Sequence, residues 1–212
     1  VTLTVKKRDL AAADFFNIGR SEVYNGLAQA FTYTPPLGAG TITLMYDGEP
    51  TVPTDVDTYA VTANVTAGTV YNEATGISLG NFTITPKPVS IIGIQTSGGF
   101  YSGSTYVGVA AEGLDGLEAG DVGKVGLWTN VGTTADANAG ENKLVTVGTC
   151  TISGERAFNY TLIQPTGVTV TIKPRPLTIN SATVENKEYD GTTTATVTDV
   201  TFATLVTGES LE

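Results

Sequence analysis

Composition, periodicity and one repeated phrase predict an all-β chain built from small sandwich domains in tandem. Thr, Val, Gly and Ala dominate the 212 residues, and only 15% are charged. Thr and Val are β-branched and suit a pleated surface. The 25 glycines and nine prolines are spread along the chain, as turns between many short strands would be. No window sustains apolar residues at spacings of three and four, and the nearest helical candidate, around Asp9 to Phe16, lies in linker-like context. A β-rich run, a basic or proline-rich joint and a new apolar start occur three times: Thr4-Val5-Lys6-Lys7-Arg8-Asp9-Leu10, Thr83-Ile84-Thr85-Pro86-Lys87-Pro88-Val89 and Thr171-Ile172-Lys173-Pro174-Arg175-Pro176-Leu177.

The copies start at residues 4, 83 and 171, about 79 and 88 residues apart, which suits one small domain per copy. The chain is therefore expected to hold the tail strand and linker of a preceding repeat at 1–9, one sandwich at 10–86, a second at 87–174 and the start of a further repeat at 175–212. The last stretch is too short to bury a core. It is expected to be disordered, to dock on the second module or to pair with another molecule. On this reading the chain is a piece of a longer array. The prolines of the joints restrict φ and favour extended backbone, so an elongated end-to-end tandem is expected.

In the first module, Val23-Tyr24-Asn25-Gly26 reads as a strand end entering a turn, with Asn-Gly supplying positive φ angles. Alternation in Ile42-Thr43-Leu44-Met45-Tyr46 places Ile42, Leu44 and Tyr46 on one face, and Asp47-Gly48 is the next turn signal. Pro50 to Pro53 cannot be central strand. The spacing Asp55-x-Asp57-x-Tyr59-x-Val61 is that of the tyrosine corner of immunoglobulin-type sandwiches, in which Tyr59 returns a hydroxyl bond to nearby backbone. The alternative is a surface tyrosine before a strand. The alternation of Tyr59, Val61, Ala63 and Val65 supports the corner, and Phe82 and Ile84 lie on the module's last strand.

The second and third modules hold a constant offset of 88 residues. Val89-Ser90-Ile91 matches Leu177-Thr178-Ile179, Tyr101-Ser102-Gly103-Ser104-Thr105 matches Tyr189-Asp190-Gly191-Thr192-Thr193, and Leu117-Glu118-Ala119-Gly120-Asp121 matches Leu205-Val206-Thr207-Gly208-Glu209. Lys187-Glu188-Tyr189-Asp190-Gly191-Thr192-Thr193 resembles the opening of the bacterial YDG domain. The second module carries later parts that resemble it too: Gly120-Asp121, Asn138-Ala139-Gly140-Glu141-Asn142-Lys143-Leu144-Val145, and Gly154 with Ala157-Phe158-Asn159-Tyr160-Thr161-Leu162. The first module resembles the related MBG repeat through Tyr24-Asn25-Gly26, Thr58-Tyr59-Ala60-Val61 and Phe82-Thr83-Ile84. The resemblance implies tandem immunoglobulin-like β-sandwiches of large secreted or surface-anchored bacterial proteins, often adhesin-like, and implies no activity. Ser102 stands where the name motif has Asp, so that Asp is not expected to be an obligatory ligand. Asn142-Lys143 stands near the place of Tyr59, so the corner is not expected to repeat.

The chemistry of the chain points away from an enzyme. It has no histidine, which excludes Ser–His and Cys–His nucleophile pairs. No phosphate-cradling glycine loop and no paired-cysteine zinc spacing occurs. A carboxylate-only glycosidase would need a cleft that two sandwiches of about 80 residues hardly offer. No catalytic, cofactor-binding or metal residue is assigned, and no cofactor is expected. The net charge of −10 disfavours nucleic acid and favours solubility, and no membrane-inserting segment is visible. Cys150 lies in the alternating run 144–152 and is read as a half-buried strand position. Glu112, Asp115, Glu118 and Asp121, or Asp55 with Asp57, are either a Ca²⁺ ligand set or solvated loop residues. The sequons at Asn64, Asn81 and Asn159 are read as Thr-rich strand without glycan. Phe100, Tyr101, Tyr106 and Trp128 are either core, as strand aromatics ordinarily are, or a sugar-stacking platform. The function expected is a non-catalytic spacer or stalk at the bacterial cell surface or outside the cell, partnered by neighbouring repeats. The alternative is a module on the same scaffold that binds carbohydrate or a host protein.

Overall fold

The computed structural model describes residues 5–211 and is all-β, interrupted by three single 3₁₀ turns. It divides into two compact units. The first takes residues up to Ile92 with Gly113–Trp128 and Thr151–Ile163; the second takes Gly93–Glu112, Thr129–Cys150 and the residues from Gln164 onward. Of the tail strand expected at 1–9, residues 1–4 lie outside the described residues. Arg8 forms a single parallel bridge with Tyr71, and the Asn72 amide donates to the Asp9 carboxylate at 2.8 Å.

In the first unit the strands are β1 (Phe16–Gly19), β2 (Ser21–Val23), β3 (Thr32–Thr34), β4 (Ile42–Tyr46), β5 (Asp57–Val65), β6 (Ala74–Thr85) and β7 (Lys87–Ile92). One sheet runs β2-β6-β5-β4, and β1 pairs with β3. The alternation read from sequence holds on β5, where Val61, Ala63 and Val65 are buried, and on β4, where Tyr46 is buried and Ile42 and Leu44 pack against the core. Phe31 stands edge-on to Phe82 of β6 with ring centroids 6.2 Å apart, and Phe15 meets Tyr33 of β3, which ties the two sheets together.

Asp47 and Gly48 both have positive φ, and Tyr46 and Glu49 exchange backbone hydrogen bonds of 2.7 and 2.9 Å. This is the two-residue turn their sequence predicts. Asn25-Gly26 behaves differently from expectation. Only Gly26 has positive φ, and the Asn25 side chain accepts from the Leu27 amide at 2.9 Å. The pair forms an Asx turn, because β2 leads into a loop after pairing in parallel with β6. The tyrosine corner is present: the Tyr59 hydroxyl donates to the Asp55 carbonyl at 2.8 Å.

β6 and β7 are separated by Pro86 alone, so the joint is strand on both sides. β7 pairs antiparallel with Gly113–Asp115 and parallel with Tyr160–Ile163. Pro88 is tolerated within it, as at an edge or first turn of pairing where a donor can be lost. Val89, Val125 and Tyr160 join Tyr24, Phe82 and Ile84 in one continuous core.

The second unit has a smaller core, Val107, Val145, Val168 and Val170. Its sheets are Gly140–Leu144 with Thr169–Lys173 and Gly99–Phe100, and Tyr106–Val107 with Gly132–Thr133 and Thr146–Val147. Asn142 has positive φ at a register shift, and Lys143 takes the place that Tyr59 holds in the first unit. Its ammonium donates to the carbonyls of Asn138 at 2.7 Å and Asp136 at 3.1 Å. The corner persists there with an amine in place of a phenol. Cys150 is buried, but it lies between strands, which corrects the strand reading. The Gln164 side-chain amide accepts from its N–H at 2.9 Å and donates to its carbonyl at 3.0 Å, replacing a strand partner.

Beyond the third joint, Ile179–Val184 and Val197–Phe202 form an antiparallel hairpin. Its end pairs, Ile179 with Phe202 and Val184 with Val197, fall 88 residues after the pairs Ile91 with Leu114 and Thr96 with Val109. The repeat seen in sequence is thus a repeat of strand register.

Replacing Tyr59 by Phe removes one partly buried hydrogen bond and is expected to destabilise the first unit by about 1 kcal/mol. Lys143→Met removes a charged donor from two carbonyls and is expected to cost more, about 1.5–3 kcal/mol. Urea unfolding followed by circular dichroism measures both.

Candidate functional site

The most heavily organised polar group in the first unit centres on Asp121, whose residue is 5% exposed. Asp121 ends the 3₁₀ turn Ala119–Asp121. Its Oδ2 accepts from the hydroxyls of Tyr24 and Tyr160, both at 2.6 Å, and its Oδ1 lies 3.4 Å from the Arg156 Nε. Tyr24 follows β2 directly, and its N–H extends the parallel pairing by donating to the Thr85 carbonyl at 2.9 Å. Tyr160 begins the strand that runs beside β7, and the two rings meet edge-on at 5.4 Å. Arg156 also grips Asp55, at 2.6 Å to Oδ1 and 3.1 Å to Oδ2, a two-pronged arrangement that suits a guanidinium. Asn159, wholly buried, donates to Asp55 at 3.1 Å and accepts from the Val56 amide at 2.8 Å. Four stretches far apart in sequence are held at one carboxylate.

Burial opposes ionisation of Asp121, but the hydroxyls of Tyr160 and Tyr24 and the charge of Arg156 outweigh it and hold the carboxyl below its ordinary 3.8. Burial, reinforced by the hydrogen bond to Asp121, pushes the Tyr160 and Tyr24 phenols above their ordinary 10. The hydrogen bond with Tyr24, opposed by burial and supported by Asp55, raises the Arg156 guanidinium. The ionised carboxylate, neutral phenols and cation are a self-consistent set. It offers no nucleophile and no displaced proton; what it does is fasten strands.

The same construction recurs in the second unit. The Tyr101 hydroxyl donates to the Glu209 carboxylate, and the Tyr101 N–H donates to the Lys173 carbonyl at 2.8 Å. Glu209 and Lys173 stand 88 residues after Asp121 and Thr85. Glycine is required in both. Gly26 has φ of 75°, and a Cβ there would meet the Glu118 Cβ at 3.2 Å; Gly103 has φ of 76°, and a Cβ there would meet Val206 at 3.2 Å. Val206 is the counterpart of Glu118. A Tyr-x-Gly turn therefore sits on a Leu-x-x-Gly-acid turn twice, with the same atoms in contact. The middle residue of the motif serves the turn: Asp190 accepts from the Thr192 amide at 2.9 Å, as Asn25 does from Leu27.

The sequence-level candidates are distributed differently. Asp121 is not the solvated loop residue it was read as, and Glu118 is paired with Lys87 at 2.5 Å. Among the described residues no group of three or more Asp, Glu or Cys side chains is placed to hold a metal ion. Asn159 is sealed in the core and cannot carry a glycan in the folded chain. Phe100, Tyr106 and Trp128 are exposed and not core, since Leu127 takes the inward position of its strand. Sequence reasoning missed Tyr24, Tyr160 and Arg156. The signal that could have found them is the paired recurrence of Tyr-x-Gly and of the acid at the 88-residue offset.

A YDG domain family model matches residues 85–168 and again 173–212, more than half of the chain, and an MBG domain model matches residues 18–88. No curated protein and no solved structure matches the chain.

Tyr160→Phe is expected to cost about 1.5–3 kcal/mol, and Asp121→Ala, which strands two phenols and a cation, about 3–5 kcal/mol. The Asp121 contribution is complete above pH about 4 and is lost as acid titrates the folded carboxyl below its unfolded value. At the other end stability falls above pH about 10, where unfolded tyrosines ionise while folded Tyr24 and Tyr160 stay protonated. Denaturation midpoints across pH should show both limbs, with the acid limb shallower in Asp121→Asn.

Proposed function

The chain belongs to the YDG domain family, with an MBG domain ahead of its YDG repeats, and from that premise we propose that it is a spacer or stalk segment of a large bacterial cell-surface or secreted protein. Both are non-enzymatic repeat-domain families. The segment acts mechanically, and its partners are the neighbouring repeats. Among the described residues no helix is long and apolar enough to cross a membrane.

One observation carries this reading: entry and exit strands pair in parallel. β2 runs parallel to the end of β6, with Ser21 opposite Thr83 and Val23 opposite Thr85. Gly99–Phe100 runs parallel to the end of Thr169–Lys173 in the same way. Tension applied along the chain pulls parallel terminal strands past each other, so their hydrogen bonds are loaded together. Antiparallel neighbours would unzip one bond at a time. The tyrosine that follows each pair, anchored on a carboxylate, closes the end of the clamp.

A carbohydrate-binding reading draws support from the exposed rings of Phe100 and Tyr106, 59% and 75% accessible. Saturable binding on a glycan array, abolished by Tyr106→Ala, would favour it over the spacer.

Stretching single molecules from the two ends is the direct test. Discrete unfolding peaks are expected, and Glu22→Pro, which removes a donor from the β2–β6 pairing, should lower the force of one of them. Smooth extension without peaks would contradict the mechanical role.

A further inference from the structure

The joint at Glu209 lacks a member that the joint at Asp121 possesses. Tyr160 is 5% exposed, packs edge-on to Tyr24, donates to Asp121 and accepts from the Glu118 amide at 3.1 Å. Its strand lies parallel to β7 with Tyr160 opposite Lys87, Leu162 opposite Val89 and Ile163 opposite Ser90. In the second unit a cavity of about 260 Å³ is lined by Tyr101, Arg175, Leu177, Leu205, Val206 and Glu209. Each of these stands for a residue of the first joint: Tyr101 for Tyr24, Arg175 for Lys87, Leu177 for Val89, Leu205 for Leu117, Val206 for Glu118 and Glu209 for Asp121. The carboxylate turn is also the same, with the Glu209 N–H donating to the Val206 carbonyl at 3.1 Å as Asp121 does to Glu118 at 2.9 Å. The backbone records the missing neighbour. β7 is strand from Lys87, whereas the equivalent strand begins only at Ile179, leaving 175–178 without a ladder.

We propose that this cavity is a binding site for a tyrosine-bearing extended segment of a YDG-type repeat. The segment enters parallel to 175–178 and places its phenol on Glu209. The chemistry fits a phenol. Leu177, Leu205 and Val206 offer apolar walls to a ring, and a carboxylate that holds one hydroxyl has acceptor sites for a second. A phosphate or a carboxylate ligand is disfavoured by Glu209 itself, and an aliphatic one would leave the carboxylate without its second donor. The inference rests on the repeated joint and not on the mechanical role, so each can fail without the other.

The probe is a fluorescent peptide with the sequence of residues 157–165, Ala-Phe-Asn-Tyr-Thr-Leu-Ile-Gln-Pro, titrated into the whole chain and followed by anisotropy. Saturable binding is expected, weakened at least about tenfold when phenylalanine replaces the peptide tyrosine, and by a similar factor in Glu209→Gln, since each removes a hydrogen bond to a charged group. Asp121→Asn should leave it unchanged. Because a free peptide loses entropy on docking, the same sequence is also fused after residue 212 through a flexible Gly-Ser linker, which raises its effective concentration to the millimolar range. Amide exchange should then slow at Leu177 and Thr178 and return to its original rate in the phenylalanine version. Absence of new protection in the fused chain, protection indifferent to the tyrosine, or peptide-induced shifts at 87–90 in place of 175–178 would each overturn the proposal.

Discussion

A carboxylate in an almost closed site is the constraint around which the first unit is arranged. Left without partners, Asp121 would stay neutral or unfold its surroundings, because desolvating an isolated charge costs far more than a domain's net stability. Two phenols and a guanidinium meet that demand, and each comes from a different stretch of chain: 97 residues away for Tyr24 and 39 for Tyr160. Satisfying the carboxylate therefore requires the end of β2, the 3₁₀ turn and the strand beside β7 to be in place together. The apolar core alone fixes these less closely, since ring packing tolerates small slips and a charged hydrogen bond of 2.6 Å does not.

That constraint couples the two family matches. Tyr24 and Asp55 lie in the MBG match, and Asp121, Arg156, Asn159 and Tyr160 lie in the YDG match, yet all six fall in one compact unit with one continuous core. The sequence boundary at Pro86 is therefore a covalent landmark more than an energetic one. In arrays whose stability is a sum of repeat and nearest-neighbour terms, such a joint places a large share in the neighbour term. The hairpin 179–202 illustrates the converse. It keeps the register of its counterpart with nearly every side chain exposed, so local pairing survives where the neighbour contributions are few.

What was legible from sequence was what is local in sequence. The tyrosine corner spans four residues, the Asp47-Gly48 turn spans two, and the alternation on β5 is continuous; each could be read within a single window. Asp121 could not, because nothing adjacent distinguishes an acid in a glycine-rich turn from a solvated one. The same holds for Asn159, whose sequon is typical of surface loops while its side chain bonds to residue 56, 103 positions away. Cys150 was read correctly as buried and wrongly as strand, since the alternation of 144–152 continues through Gly148 while the ladder does not. Lys143 shows how a geometric role outlives the residue type: the corner needs a donor at the end of a long side chain, and an ammonium serves as well as a phenol.

The two joints also separate what the motif requires from what it tolerates. Tyrosine, the glycine two residues on and a carboxylate recur, because the first two fit a positive-φ turn against a neighbour's Cβ and the last accepts the hydroxyl. The rim differs. Lys87 and Glu118 form an ion pair, while Arg175 faces Val206 and donates instead to the Thr204 carbonyl at 2.5 Å. Half-exposed ion pairs contribute little, about 1 kcal/mol or less, so the rim is free to vary without loosening the joint. The motif's middle residue belongs with the rim. Asn25 and Asp190 each cap their own turn, Ser102 stands in the same place, and Tyr101 still reaches its carboxylate. The acid in the motif shapes the turn, while the acid that binds the tyrosine is supplied by the next repeat.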